Sequence, residues 1–382
     1  MRRIRICLWF CLLAWQACIK PYDPGIEGSD ALKYVVSGGV TDTAGWQVVT
    51  VSRTSPMGSP EYLPVSGCTV EIRDDKGNTW PLSESRPGSY QGWLDDGLIS
   101  PGTSCKVRVV LPGGDELESA YDRIPEGPPA GPVYYGIEDY VSADPGQNRK
   151  IMQFYTDLNG TGSESRFYRW ELEETWEYQA AYPEEYYYDG IFHQFDPPDY
   201  TNYTCWITGP VKNVFTLSTV NMTQNKYTKF PLHFIDGKTS RLSILYSLLV
   251  KQMAISEGAY NYWDQMRINS NEQGGLYEKQ PLAVRGNMIN KTHPEQEVLG
   301  FFQAASVSSS RYFFSQVEGL PLEFDDHCYE EGLGKFGFKE FSVNDYPVYF
   351  TYVNGVVKIL NRDCIDCRKA GGTTSKPDFW PR

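Results

Sequence analysis

From Leu32 to about Tyr121 the chain is cut into short β-type runs by turn signals, and that spacing restricts the fold more than any other feature. The runs are Leu32–Val36, Trp46–Ser52, Cys68–Arg73, Cys105–Leu111 and Glu116–Tyr121. Between them lie Asp74-Asp75-Lys76-Gly77-Asn78, Arg86-Pro87-Gly88 and Pro112-Gly113-Gly114, all turn-forming sequences. After Cys68, Val70 and Ile72 alternate with Thr69, Glu71 and Arg73, the period-two pattern of a half-buried strand. Regularly spaced short strands predict an immunoglobulin-like β-sandwich over residues 31–123.

Residues 124–132 (IPEGPPAGP) hold four prolines and two glycines and are expected to be a stiff linker. Beyond it, residues 133–382 are again mostly strand-like. Lys150–Tyr155, Phe167–Tyr178, Val211–Leu217, Leu242–Met253, Val298–Ala304 and Tyr346–Tyr352 are the clearest segments. The long apolar run Leu242–Met253 is expected at the centre of a sheet. A helix is predicted at Ser256–Asn269, capped by Ser256, with Tyr260, Trp263 and Arg267 on one face and Gly274-Gly275 as its stop. The fold class is therefore mainly β, an immunoglobulin-like sandwich followed by a larger β-rich domain with one or few helices.

The first residues carry an address. Arg2, Arg3 and Arg5 precede the apolar stretch Ile4–Trp15, and Ala17 precedes Cys18. That run is too short to span a bilayer, which needs about 20 residues. Residues 1–17 read as a lipoprotein signal peptide, with Cys18 the acylated first residue of the mature chain. Trp15 departs from the usual Leu of a lipid-attachment box, although Leu12 and Leu13 lie just upstream. Residues 18–30 (CIKPYDPGIEGSD) read as a tether. Removing residues 1–17 takes three Arg and no acid, so the formal charge moves from −13 to −16. Such a chain is repelled by nucleic acid and by anionic headgroups, so no nucleic-acid partner is expected. Any membrane attachment is expected through the acyl chains of Cys18 rather than a basic surface.

Of nine cysteines, Cys68, Cys105, Cys205, Cys328, Cys364 and Cys367 remain for the folded body. An even number in an exported chain favours disulfides. Cys68 and Cys105 fall on two predicted strands of the sandwich and are expected to pair. Cys364-Ile365-Asp366-Cys367 has the spacing of a thiol redox site or half a zinc knuckle. The next residues (RKAGGTT) are poor helix formers, whereas a redox pair needs a helix N-terminus. Two bridges tying Cys364 and Cys367 to Cys205 and Cys328 are expected, in an order the sequence leaves open; each would stabilise by about 4 kcal/mol in the chain-entropy picture.

The strongest candidate for recognition is Glu171–Tyr200. It has nine acids and no Lys or Arg, interleaved with Trp176, Tyr178, Tyr182, Tyr186, Tyr187, Tyr188, Phe192 and Phe195. Such rings anchor protein interfaces and stack on sugar faces. The alternative is a solvated excursion whose rings fold back on their own domain. The carboxylates of this segment do not by themselves point to glycoside hydrolysis, because any acidic loop offers such pairs.

No catalytic set emerges. His193, His233, His293 and His327 are scattered and form no two-His zinc pattern. Nucleophile elbow and phosphate-cradling loop are missing from the sequence. Asp74–Asn78 lacks the ligand count of a calcium loop and reads as a hairpin turn. No metal or cofactor is expected.

The chain resembles the Bacteroidota outer-membrane lipoproteins grouped as domain of unknown function 4249. The markers begin with Cys18-Ile19-Lys20-Pro21-Tyr22-Asp23-Pro24 and Pro64-Val65-Ser66-Gly67-Cys68-Thr69-Val70. Tyr168-Arg169-Trp170, Glu174-Thr175-Trp176, Cys205-Trp206 and Tyr246-Ser247-Leu248-Leu249-Val250-Lys251-Gln252 come next. Val284-Arg285-Gly286-Asn287 and the run from Cys364-x-x-Cys367 through Gly371-Gly372-Thr373-Thr374 to Lys376-Pro377-Asp378-Phe379-Trp380 complete the set. Members usually have a small residue where Cys68 stands and a non-cysteine where Cys105 stands, which supports pairing these two. The resemblance implies a lipid-anchored envelope protein, often encoded beside TonB-dependent receptors, and supplies no catalytic residues.

The expected function is thus a non-enzymatic outer-membrane lipoprotein on the cell surface, accessory to a TonB-dependent β-barrel receptor in nutrient capture or assembly. The alternatives are a glycan-binding lipoprotein using residues 171–200, and an envelope thiol oxidoreductase or hydrolase.

Overall fold

The computed structural model describes residues 32–56, 60–141, 146, 148–271, 284–315 and 317–381. The predicted signal peptide, Cys18, the tether and the Gly274-Gly275 stop lie outside the described residues. The described part is mainly β, with several antiparallel sheets and one α-helix.

The first strands are β1 (Tyr34–Thr41), β2 (Gly45–Arg53), β3 (Leu63–Pro64), β4 (Thr69–Asp74) and β5 (Thr79–Arg86). They continue as β6 (Ser89–Leu94), β7 (Ser104–Val110), β8 (Glu116–Ser119) and β9 (Asp122–Arg123). Between β4 and β5 the Asp74 carboxylate accepts hydrogen bonds from the Lys76 and Asn78 amides at 3.0 and 2.7 Å. That Asx geometry, with Gly77 at φ +93°, closes the hairpin turn. Strand β5 changes partners midway: Thr79–Leu82 pair with β4, and Ser83–Arg86 with β6. The sheet thereby folds over a core containing Val36, Val49, Val51, Val70, Ile72, Val107, Val109 and Leu117. Burying each such side chain contributes about 1.5–3 kcal/mol.

Next come β10 (Val133–Tyr140), β11 (Arg149–Asn159), β12 (Phe167–Gln179), β13 (Glu184–Tyr188) and β14 (Phe192–Asp199). They are followed by β15 (Thr204–Pro210), β16 (Phe215–Ser218), β17 (Lys226–Asp236) and β18 (Tyr246–Ala254). Helix α1 (Glu257–Asn271) leads to β19 (Met288–Asn290), β20 (Val298–Leu299), β21 (Phe302–Phe314), β22 (Glu330–Gly332), β23 (Val348–Val353) and β24 (Val356–Leu360). The Ser256 hydroxyl oxygen accepts from the Ala259 amide at 3.1 Å, the cap expected for α1.

Strand β18 lies between β12 and β21, as its apolar run required. Its inner face, with that of β12, packs on the three-stranded sheet β10-β11-β17. Trp170 stacks on Phe230 and Phe154 on Tyr246 there, with ring centroids 4.5 and 5.7 Å apart. Strand β21 joins the two halves: Phe302–Ala305 run parallel to β1, and Ser306–Phe314 pair antiparallel with β18. Residues 288–290 also return to pair with β8. One 16-stranded sheet therefore runs through both halves.

The Pro-rich segment 124–132 lies against this sheet. The Gln252 side-chain amide donates to the carbonyls of Pro128 and Pro129 at 3.2 and 3.0 Å, and Ala130 N–H donates to Ser308 Oγ at 2.8 Å.

Cys68 and Cys105 are free thiols, which corrects the expected bridge. Their strands are neighbours, but Thr69 faces Val110 and Asp74 faces Cys105. The two cysteines thus sit at opposite ends of the pair, about 20 Å apart along the strand. A disulfide needs Cα atoms within about 7 Å. Sequence located both strands but not their register. The expected strand Val211–Leu217 also differs, because β16 begins only at Phe215 and residues 211–214 form a loop.

Candidate binding surface

A five-stranded sheet in the order β14-β13-β23-β24-β22 carries residues 184–199 of the acidic aromatic segment, whose first residues, up to Gln179, lie on β12 of the large sheet. Two disulfides brace it: Cys205–Cys367, with Cα atoms 5.6 Å apart, and Cys328–Cys364, at 4.5 Å. Cys364 and Cys367 are fully buried and bonded to different distant partners. They form no dithiol with each other in this state. The thioredoxin-like geometry fails locally as well, since short 3-10 turns at Arg362–Cys364 and Cys367–Ala370 stand where a redox pair needs a helix.

The six candidate aromatics separate into two groups of three. Trp176 is half-buried, with Arg241 stacked 4.7 Å from its ring centroid. Tyr178 is buried beside the Cys205–Cys367 bridge. Tyr182 packs against Leu360 and Cys364, and its amide donates to the Cys364 carbonyl at 2.8 Å. Trp176, Tyr178 and Tyr182 therefore help hold the body together.

Tyr186, Tyr187 and Tyr188 alternate across the small sheet. Tyr187 lies flat on His193, 4.3 Å between centroids and 6° between planes. On the other side Tyr186 stacks on Phe350 at 5.3 Å and meets Tyr352 edge-on at 5.3 Å. Tyr188 contacts Phe192 and Phe338 at 5.0 Å each. Phe338 in turn meets Phe192 and Phe350 at 4.9 Å, so these rings form one continuous cluster. Its rim is open: Phe192 is 65% exposed and Tyr352 53%. Edge-to-face pairs of this kind are worth about 0.5–1.5 kcal/mol each beyond their buried area. Sequence pointed to Phe192 from its place in the aromatic run. Phe338, Phe350 and Tyr352 come from a distant segment, and nothing local in the sequence joins them to it.

Where β12 and β18 face β17 lies a buried polar knot. Glu174 is only 6% exposed. It accepts from Arg241 Nε and Nη2 at 3.0–3.1 Å and from the Tyr246 hydroxyl at 3.2 Å. His233 Nε2 lies 3.6 Å away. Burial pushes the Glu174 carboxyl up, but His233 and Arg241 together hold it below its ordinary value. The same burial, beside Glu174, raises the Tyr246 phenol well above its ordinary value.

The other histidines also face carboxylates: His193 meets Asp189 at 3.0 Å, His293 meets Asp115 at 3.4 Å, and His327 meets Asp325 at 3.3 Å. Among the described residues no group of three or more His, Cys, Asp or Glu is arranged to hold a metal ion. No described helix is long and apolar enough to cross a membrane.

Comparison with known families gives a match over residues 19–311 to a model described as a domain of unknown function, DUF4249. No curated protein matches the chain.

Proposed function

The chain belongs to the DUF4249 family, and from that premise we propose that it is a non-enzymatic outer-membrane lipoprotein accessory to a TonB-dependent β-barrel receptor in nutrient capture or assembly. In this reading Cys18 is acylated, the envelope is of the Bacteroidota type, and the body stands on the cell surface. Residues 31–123 are its immunoglobulin-like module.

The observation that carries this reading is the open aromatic rim on the disulfide-braced sheet. Phe192 and Tyr352 stay exposed above rings that are already packed, the arrangement of a preformed interface anchor. Acids surround it: Glu184, Glu185, Asp189, Asp196 and Asp199 all lie on or beside β13 and β14. A protein partner with an apolar groove and basic edges suits such a surface.

The glycan-binding alternative has less support. A sugar needs an open ring face, whereas Trp176 is covered by Arg241, Tyr178 is buried and Tyr187 is covered by His193.

The test is co-purification of the full-length protein from detergent-solubilised native membranes, coupled to palmitate labelling. A TonB-dependent receptor should accompany the wild type and be lost with Phe192→Asp plus Tyr352→Asp. Failure to recover any barrel protein with the labelled wild type, or an unlabelled product, overturns the reading.

A further inference from the structure

The outer face of β12 and β18 carries a second site, unrelated to the aromatic rim. Strands β15 and β16 both pair with the same edge of β12, β15 along Glu173–Gln179 and β16 along Phe167–Trp170. The loop 211–214 between them leaves that edge, and the gap opens into a cavity of about 360 Å³. A second cavity of about 460 Å³ lies against the same loop, and both are lined by Lys212. These volumes fall in the range of small-ligand sites, about 300–1,000 Å³.

The first cavity is built around a buried cation. Arg169 is 8% exposed, and its guanidinium lies 3.7 Å from the centroid of the Trp263 ring. Glu171 holds Arg169 Nη1 at 2.8 Å, while Arg169 Nε is buried without a hydrogen-bond partner. Gln303 Oε1 accepts from Trp263 Nε1 at 2.7 Å and so fixes the indole under the guanidinium. Burial pushes the Arg169 guanidinium below its ordinary value, with Glu171 opposing.

Charge across the two cavities does not balance. Glu171 is taken by Arg169, Glu173 by Arg311 at 3.1 Å, and Asp264 by Arg267 at 2.8 Å. The ammonium of Lys251, half-buried and paired in register with Glu171 across the strands, makes no hydrogen bond or ion pair with any described residue, and neither does that of Lys212, which is exposed on the loop. One cavity is thus lined by two spare lysines, Lys251 half-buried and Lys212 at its open side, in a chain of formal charge −13. A half-buried cation without a counter-ion is costly unless something anionic completes it.

We infer that this cavity binds a small anionic solute of sugar size, whose carboxylate or phosphate oxygens meet Lys251 and Lys212 beside Arg169. Ammonium groups recognise either oxyanion as point charges. The buried guanidinium keeps the local potential positive, and Trp263 supplies an apolar wall.

The test is isothermal titration of the full-length, detergent-solubilised protein with galacturonate, glucose 6-phosphate and neutral galactose. At least one of the two anions should bind while galactose does not, and whichever binds more tightly identifies the carboxylate or the phosphate source. Lys251→Met and Lys212→Ala should each weaken that binding by about tenfold, the worth of one charge-assisted hydrogen bond. Lys76→Ala, exposed in the turn between β4 and β5 and lining neither cavity, should leave it unchanged. Thermal melts of each variant distinguish a lost site from a lost fold. The inference is overturned if neither anion binds, if galactose binds equally well, or if a folded Lys251→Met plus Lys212→Ala variant binds like the wild type.

Discussion

Arg241 reaches Glu174 through two nitrogens at 3.0–3.1 Å and covers Trp176 with the same guanidinium. One side chain thereby neutralises a buried carboxylate and shields an indole at the edge of β12. Arg241→Met leaves the Glu174 carboxylate buried with only Tyr246 and His233 beside it. The expected loss is about 3 kcal/mol in chemical denaturation, the lower end of the range for breaking a buried pair because Arg241 is itself 30% exposed. A loss within experimental error would remove this pair from the account of stability.

The same carboxylate sets a pH dependence. Glu174 has a folded value below its ordinary 4.5, so the folded state holds the proton more weakly than the unfolded chain. Its stabilisation is therefore complete above the ordinary value and is lost as pH falls through the lower folded one. Glu174→Gln should remove that contribution to the slope. Urea unfolding near pH 7 and below about pH 4 should show the gap between wild type and variant narrowing at the acid end.

Cysteine mapping gives a direct check of the register of β4 and β7. Non-reducing peptide analysis should recover Cys205 with Cys367 and Cys328 with Cys364, leaving Cys68 and Cys105 as thiols. Burial pushes the Cys105 thiol up to about 12, so native maleimide should modify half-buried Cys68 first. With sequence separations of 162 and 36, reduction should cost about 5 and 4 kcal/mol in the chain-entropy picture. A Cys68–Cys105 peptide would show that the register is wrong.

The features legible in the sequence and those hidden from it divide along physical lines. Local signals sufficed for the Asp74–Asn78 turn, the Ser256 cap and the central place of β18, because turn chemistry, capping and continuous apolarity act within a few residues. Partner choice did not show. The midway exchanges of β5 and β21 depend on which sheet curls toward which, and a period-two pattern is the same on either side. Aromatic richness likewise could not distinguish Tyr178, buried at a disulfide, from Tyr186, which stacks below an open rim. Arg169 and Lys251 stood in two of the sequence markers, yet only the pairing of β12 with β18 places both on the face of one cavity.

Asn225 closes a turn from inside. Its side-chain N–H groups donate to the carbonyls of Gly160 and Ser165 at 2.9 and 2.8 Å, and its oxygen accepts from the Thr219 hydroxyl at 2.7 Å. Tyr168, fully buried, donates its hydroxyl to the Ser165 carbonyl at 2.7 Å in the same knot. Asn225→Ala takes one donor from each carbonyl and the short acceptor from the Thr219 hydroxyl at once, and should destabilise by about 2–3 kcal/mol in thermal or urea unfolding. Thr219→Val, which removes only one donor, should cost about 1 kcal/mol. Equal costs for the two would show that Asn225 is not the centre of the network.

Among the described glycines the tightest constraint is where the chain returns to its first sheet. A Cβ on Gly286 would lie 1.6 Å from the Gly300 carbonyl oxygen, and one on Gly300 would lie 2.0 Å from that of Val36. Gly300 also has φ +96°, which side-chain-bearing residues rarely adopt. Next to them the Asn287 side chain accepts from Phe302 N–H at 2.9 Å and donates to its carbonyl at 2.8 Å, so the backbone has no slack to retreat. Gly300→Ala should therefore push β1 away from the start of β21 and cost at least about 3 kcal/mol. Gly209→Ala, where nothing lies within 4 Å, serves as the comparison and should stay within about 0.5 kcal/mol of wild type. Parallel urea titrations decide it: equal midpoints for the two variants would mean that the return of the chain to β1 does not hold the halves together.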